Sequence, residues 1–185
     1  MNLPIFKSIK KALAASPPAE SLSLGKGVNK VTSDLGGLSS LKWFQVQSPT
    51  VTVLPPEVGL LGQLEELSLS CPLGTLPDSV GQLANLKTLS AMDCQLTRLP
   101  ETLAGLQNLE VLVVDNNQLR TLPVGLTLLP KLSTIQVLNN PIEALPPEFA
   151  RLRHKLSLWI GGNAMGAEAK AQLKANFSNL SLHLY

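Results

Sequence analysis

The sequence has few aromatic side chains, since phenylalanine, tryptophan and tyrosine together make up 4% of its 185 residues. With so few large rings, a core has to be assembled from many smaller branched side chains, and leucine supplies most of them. The length is sufficient for one domain that buries a substantial core. The composition therefore favours a single domain whose core uses one type of side chain again and again.

Charged residues are also scarce, and the net charge is only +2. The charge is uneven: residues 1–30 carry five lysines and one glutamate, a net charge of +4, and the other ten basic and twelve acidic residues give −2. Charge of this size does not indicate nucleic acid as a partner.

The sequence also lacks features that would place the protein in a membrane or outside the cell. No apolar run approaches the roughly 20 residues that cross a bilayer, so no transmembrane segment is predicted. The N-terminal apolar stretch is interrupted by Lys10 and Lys11, which makes it too short for the apolar region of a signal peptide. Two cysteines do not form a disulfide framework. We expect a cytoplasmic protein; the alternative is an exported effector without a classical signal peptide.

Internal repetition is the strongest signal in the sequence. The dipeptide Leu-Pro recurs at an even spacing, beginning at Leu76, Leu99, Leu122 and Leu145, and Leu54 begins another copy at a spacing one position shorter. Apolar residues follow at fixed offsets, which in the unit from Leu99 are Leu103, Leu106, Leu109, Leu112, Val114 and Leu119. The offsets define six units, beginning at residues 31, 54, 76, 99, 122 and 145.

The repeated pattern L-P-x-x-ϕ-G-x-L-x-x-L-x-x-L-x-L-x-x-N-x-L resembles the 23-residue class of leucine-rich repeats found in Ras-binding and bacterial proteins. The resemblance covers roughly residues 20–185. It implies an α/β fold, a right-handed solenoid shaped as a horseshoe arc. Parallel strands would line its concave face, irregular or 3-10 segments its convex side, and helices would cap it. The resemblance says little about function, because this scaffold serves many unrelated partners.

The L-x-L step of each unit has a period of two and predicts a strand with both leucines on one face. The asparagine that follows, Asn117 or Asn140, can bond the backbone of neighbouring coils. Cys94 occupies this position in its unit, and Cys71 does so in the shorter unit that begins at Leu54. Adjacent coils lie about 5 Å apart, so a disulfide is sterically open, but we favour two buried structural thiols.

The predicted organisation has three parts. Residues 1–20 form an N-terminal helix and linker, residues 21–165 the leucine-rich repeats, and residues 166–185 a C-terminal helix and last strand. Residues 4–15 are predicted as an amphipathic helix, with Ile5, Phe6, Ile9 and Leu13 on its apolar face. We interpret this helix as a cap over the first coil. Its lysines leave open a peripheral membrane contact or an export element.

At the other end, residues 166–177 are predicted as a helix. Leu180, Leu182 and Leu184 then alternate as a final strand, in which the repeat spacing aligns Leu180 with Leu158 and Leu182 with Ile160. With a first strand at residues 21–24, the sequence predicts about eight parallel strands.

A catalytic or metal-binding constellation is not recognisable in the sequence. The two histidines lie in different units and lack the spacing of a metal site. Phosphate-binding loops, nucleophile elbows and metalloprotease motifs are absent from the sequence. We therefore predict a protein that is not an enzyme, with no cofactor and no metal.

The side chains that alternate with the core leucines are predicted to project from the concave face. They carry few charges, and several are apolar. The partner-binding candidates are Trp43, Glu66, Thr88, Ser90, Met92, Val111, Val113, Asp115, Thr134, Gln136, Leu138 and Trp159. Exposed tryptophan, methionine and aliphatic side chains are typical of protein interfaces. Valine and threonine also favour strands for their own sake.

The sequence thus predicts a monomeric module that binds a protein or peptide partner of unknown identity on its concave face. Two alternatives remain at this point. One is a secreted or translocated bacterial-type effector or regulator that acts by binding. The other is a receptor for a small ligand or glycan.

Overall fold

The computed structural model describes residues 4–152, 155–177 and 180–184. Its strands all pair in parallel and in chain order, forming one sheet. The nine strands are β1 (Ile5–Phe6), β2 (Ser21–Leu24), β3 (Trp43–Gln47), β4 (Glu66–Ser70), β5 (Thr88–Ala91), β6 (Val111–Val113), β7 (Thr134–Gln136), β8 (Leu156–Trp159) and β9 (Leu180–His183). The helices are α1 (Ile9–Leu13) and α2 (Ala167–Asn176).

Each of the six units continues from its first residue into a short 3-10 helix that begins two positions later. These helices are Ser33–Gly37, Pro56–Leu60, Asp78–Gln82, Glu101–Gly105, Val124–Leu128 and Pro147–Arg151. In five units a proline directly precedes the helix; Pro77, for example, has φ −68°, the angle that its ring imposes. The alternation of strand and 3-10 helix confirms the predicted leucine-rich-repeat solenoid.

The repeated leucines form one continuous core between the sheet and the 3-10 helices. In the unit from Leu99, the side chains of Leu103, Leu106, Leu109 and Leu112 are fully buried. No single coil could bury its own apolar surface, so each coil depends on its two neighbours. Stability therefore comes from stacking identical positions along the solenoid.

Buried asparagine side chains, which we call the asparagine ladder, form hydrogen bonds with backbone groups beside this core. The amide group of Asn117 donates to the carbonyls of Ala91 and Val114, and its Oδ1 accepts the N–H groups of Cys94 and Leu96. Asn140 repeats part of this pattern one coil later. Both side chains are almost completely buried. Each one stabilises the turn that follows its strand and ties two coils together.

The 3-10 helices of adjacent coils lie close together, and glycine permits this approach. A Cβ atom on Gly81 would lie 2.1 Å from the carbonyl oxygen of Thr102, and one on Gly105 would lie 2.4 Å from the oxygen of Gly81. These distances are far below van der Waals contact. The glycines of the repeat therefore set the spacing of the coils on this side.

The N-terminal segment differs from the prediction of one helix over residues 4–15 and eight strands. Ile5 and Phe6 form a ninth strand that pairs with β2, and α1 is only five residues long. The edge of β2 offers unpaired backbone groups, and isoleucine and phenylalanine favour strands. Ile5 and Phe6 therefore pair with β2 instead of extending the helix. The predicted apolar face is wrong in part. Ala12 is the buried residue of α1, whereas Ile5 and Leu13 are exposed.

The C-terminal helix lies close to its predicted position, but the predicted register of the last strand is wrong. β9 pairs Leu180 with Leu156 and Leu182 with Leu158, whereas the repeat spacing aligned Leu180 with Leu158. Leu156 is buried and Lys155 is exposed where a leucine was expected. A shift of two positions keeps the same side chains on the same face, so the leucine pattern could not distinguish the two registers.

Candidate interaction face

One face of the sheet packs on the core, and the side chains of the other, which we call the open face, reach solvent. The register aligns the predicted candidates in rows that cross the strands. Thr88 lies beside Val111, and Val111 lies beside Thr134. In the next row, the aligned residues are Ser90, Val113, Gln136 and Trp159. Of the twelve candidates, all except Asp115 are partly or fully exposed.

Four apolar side chains form what we call the C-terminal patch: Val111, Val113, Leu138 and Trp159. Each is half-buried and contributes to the open face of β6, β7 or β8 or to the residues that follow them. The ring of Trp159 stacks on His183, with centroids 3.9 Å apart and planes within 9° of each other. This stacking results from the shifted register of β9, which places His183 opposite Trp159 instead of Gly161.

Asp115 lies in the same region but behaves differently from the other candidates. Its side chain is only 6% exposed, and the N–H group of Leu138 donates to its Oδ1 atom at 2.8 Å. Burial raises the pKa of its carboxyl group. Asp115 thus uses its carboxylate to bond the next coil, and it presents little surface to a partner.

The other end of the open face is polar and contains a cleft of about 340 Å³. We call it the Trp43 cleft, and its walls are Lys42, Trp43, Glu65, Glu66, Lys87, Thr88 and Glu110. Ion pairs cross the coils beside it: Lys42 to Glu20 at 3.1 Å and Lys87 to Glu65 at 2.5 Å. The charges alternate in sign from Glu20 through Lys42, Glu65 and Lys87 to Glu110, and the sequence did not predict that a cleft opens beside this row.

A second groove, of about 500 Å³, lies at the C-terminal ends of strands β3 to β5, and Cys71 forms part of its wall. Both cysteines are free and buried. The Sγ atom of Cys94 donates to the carbonyl of Met92 at 3.2 Å. A hydrogen bond with Cys94 and burial raise the pKa of Cys71 above its ordinary value. A protonated, buried thiol is a poor nucleophile, so Cys71 acts as a small core residue.

Across residues 4–152, 155–177 and 180–184, no three histidine, cysteine or acidic side chains are arranged to hold a metal ion. No helix within these ranges has both the length and the apolar content to cross a membrane. His154, one of the two histidines considered above, lies outside the described residues.

Comparison with known proteins supports the leucine-rich-repeat fold. A family model described as "Leucine Rich repeats (2 copies)" matches residues 84–125. A leucine-rich-repeat protein of Leptospira interrogans has the same fold over 99% of this chain, with 28% sequence identity and a TM-score of 0.83. The chain has the leucine-rich-repeat fold, and residues 84–125 match the family's repeats. A comparison with curated proteins gave no match.

Two other solved structures extend this similarity. The leucine-rich-repeat domain of the type III effector XopL is 27% identical over 85% of this chain, with a TM-score of 0.73. An internalin from Listeria monocytogenes is 20% identical over 94% of the chain, with a TM-score of 0.66, which shows the shared fold alone. The aligned part of this leucine-rich-repeat chain spans 47% of the Leptospira protein and 57% of the effector domain structure.

Proposed function

We propose that this leucine-rich-repeat protein is a non-enzymatic interaction module that binds a protein or peptide partner on the open face of its sheet. The observation that carries the proposal is the C-terminal patch. Its four apolar side chains are half-exposed, whereas the core beneath them is filled by leucine, isoleucine and valine. The patch adds solvent-exposed apolar surface that the core does not need.

The composition of the patch fits protein recognition. Tryptophan and large aliphatic side chains are enriched at protein interfaces, and a few such residues usually account for most of the binding free energy. Val111 and Val113 are carried by one strand, and Trp159 lies two strands away, roughly 10 Å distant at the usual strand spacing. Strands hold these side chains rigidly, which lowers the entropic cost of binding.

The surroundings of the patch favour a partner segment of low charge. Its neighbours in the aligned rows are Thr134, Gln136 and Ser157, which are half-exposed and uncharged. Hydroxyl and amide groups there can bond a partner's backbone. A glycan receptor would need more aromatic and polar side chains than this region offers, and we do not favour that alternative.

A more specific role is that of a regulator exported to act by binding in another cell. The similarity to the leucine-rich-repeat domain of the type III effector XopL supports this as a second candidate. The binding surface required is the same in both cases, so the choice between them concerns where the protein acts.

Affinity capture from a lysate of the source cells tests the proposal. The matched variants are Val113→Ala with Trp159→Ala on the open face and Leu60→Ala with Leu128→Ala on the opposite side, where both leucines are more than 60% exposed. We expect the first pair to weaken capture of the retained protein by about tenfold or more, which corresponds to roughly 1.4 kcal/mol. Equal capture by the first pair and by unaltered protein would refute the role of the open face.

A further inference from the structure

The Trp43 cleft lies at the opposite end of the open face from the C-terminal patch. It is built from the first residues of β3, β4 and β5 and from the rim residues that precede them. Trp43 is half-exposed, although its neighbours Leu41 and Phe44 are fully buried. The indole ring is therefore not required to fill the core, and its position in the cleft calls for another explanation.

The charges around the cleft are not balanced. The amines of Lys42 and Lys87 are held by Glu20 and Glu65, so each lysine is already paired with a carboxylate. The pairing with Lys87 lowers the pKa of Glu65 and raises that of Lys87, as expected for a close ion pair. Glu66 and Glu110 are exposed and belong to no ion pair among the described residues. Two lysines against four glutamates leave a net charge of −2.

Trp43 and Glu66 are aligned on adjacent strands and both project from the open face. Aligned residues of neighbouring strands are about 4.8 Å apart, so the indole ring and the carboxylate lie side by side. A planar guanidinium group can stack on an aromatic face and donate two hydrogen bonds to a carboxylate next to it. A lysine ammonium group lacks the planar shape that makes both contacts at once.

We propose that the Trp43 cleft binds an arginine side chain of the partner, with the guanidinium group stacked on Trp43 and paired with Glu66. Glu110 adds to the negative potential that attracts the cation. This inference rests on the proposed function, because the arginine belongs to the protein or peptide bound on the open face.

The spacing of the two sites defines the partner further. β3 and β6 are three strands apart, a distance of about 14 Å at the usual spacing. An extended peptide advances about 3.3 Å per residue. The partner segment therefore carries an arginine about four residues away from the apolar side chains that contact Val111 and Val113.

Nuclear magnetic resonance of the full chain tests the cleft directly. The chain has two tryptophans, so a ¹⁵N spectrum shows two indole N–H signals, and a Trp159→Phe variant assigns them. The probe is Nα-acetylarginine amide, with Nα-acetylcitrulline amide as an uncharged control of nearly the same shape. We expect the arginine probe to shift the Trp43 signal with saturation in the millimolar range, and citrulline to have at least a tenfold weaker effect.

Two variants complete the test. Glu66→Gln keeps the shape of an exposed side chain, and we expect it to weaken the arginine response about fivefold or more. Glu57→Gln, a substitution of a carboxylate outside the cleft, should leave the response unchanged. Equal shifts with arginine and citrulline, or an undiminished response in Glu66→Gln, would overturn the proposal. Loss of partner capture in the Val113→Ala, Trp159→Ala protein is a separate result, because neither residue lines the cleft.

Discussion

The two faces of the sheet are built from alternating residues of the same strands, yet they follow different rules. On the core face of β3 to β8, every residue is leucine, isoleucine, valine, alanine or phenylalanine and is almost fully buried. On the open face, the chain places serine, threonine, glutamine, valine, glutamate and tryptophan at aligned positions. Because side chains alternate between the two faces of a strand, one set of residues serves folding and the other is available for binding.

This difference explains why the repeat reveals the fold but does not reveal the binding partner. The core face must match the coil before and the coil after it, so its residues are constrained to repeat. The open face contacts water in the free protein, and a substitution there has little effect on the core. Its irregular positions, such as Trp43 and Trp159, are therefore where the specificity of binding is expected.

The largest loss of stability is expected from a substitution in the asparagine ladder beside the core. Asn117→Ala would leave buried N–H groups of Cys94 and Leu96 and several carbonyls without partners. Each buried group left unpaired costs about 1–3 kcal/mol, so we expect the free energy of unfolding to fall by at least about 3 kcal/mol. Urea denaturation followed by circular dichroism measures this loss.

Asn85→Ala is the matched control for that variant. Asn85 is exposed and its side chain also bonds the neighbouring coil, at the carbonyl of Gly62. Because water can replace this bond, we expect a change below about 1 kcal/mol. Similar losses in the two variants would show that burial of the ladder has no special importance.

A smaller effect is expected at Asp115, a residue of the open side that is nevertheless buried. Its raised pKa means that the native protein binds the proton more tightly than the unfolded chain does. This proton contributes fully to stability below the pKa that Asp115 has in the unfolded chain. The contribution is lost as the pH rises through the pKa that Asp115 has in the folded protein. Relative to Asp115→Asn, the unaltered protein should therefore lose stability as the pH rises from about 3 to 6.

Thermal unfolding of the unaltered protein and Asp115→Asn across this pH range tests the expectation. Asparagine keeps an oxygen that can accept the N–H group of Leu138. Asp78→Asn, which changes an exposed carboxylate, serves as the control for the overall change in charge. A parallel pH dependence in the unaltered and Asp115→Asn proteins would contradict the account.

The repeated spacing of leucine predicted eight of the nine strands, and the resemblance to leucine-rich repeats implied the solenoid and its irregular or 3-10 segments. The sequence did not predict β1, since pairing of Ile5 and Phe6 depends on the exposed edge of β2. Nor did it predict the register of β9, because period-two leucines fit equally well after a shift of two positions. These errors lie at the two ends, where the repeat no longer constrains the chain.

The interaction face could be predicted only as a set of positions. Strand periodicity identified which side chains project outward, and eleven of the twelve candidates have exposed surface. The burial of Asp115 and the cleft at Trp43 depend on contacts between coils that no single unit encodes. The ion pair between Lys42 and Glu20 joins two adjacent coils, and the sequence did not predict it.

Equilibrium unfolding of Leu112→Ala and Val113→Ala tests the central claim most directly, because these residues are neighbours on β6 and face opposite sides. Leu112 is fully buried and Val113 is half-exposed. We expect Leu112→Ala to reduce the free energy of unfolding by about 2–5 kcal/mol and Val113→Ala by less than about 1 kcal/mol. Equal losses in the two variants would mean that the open face is part of the fold's stability, and the separation of folding from binding would be wrong.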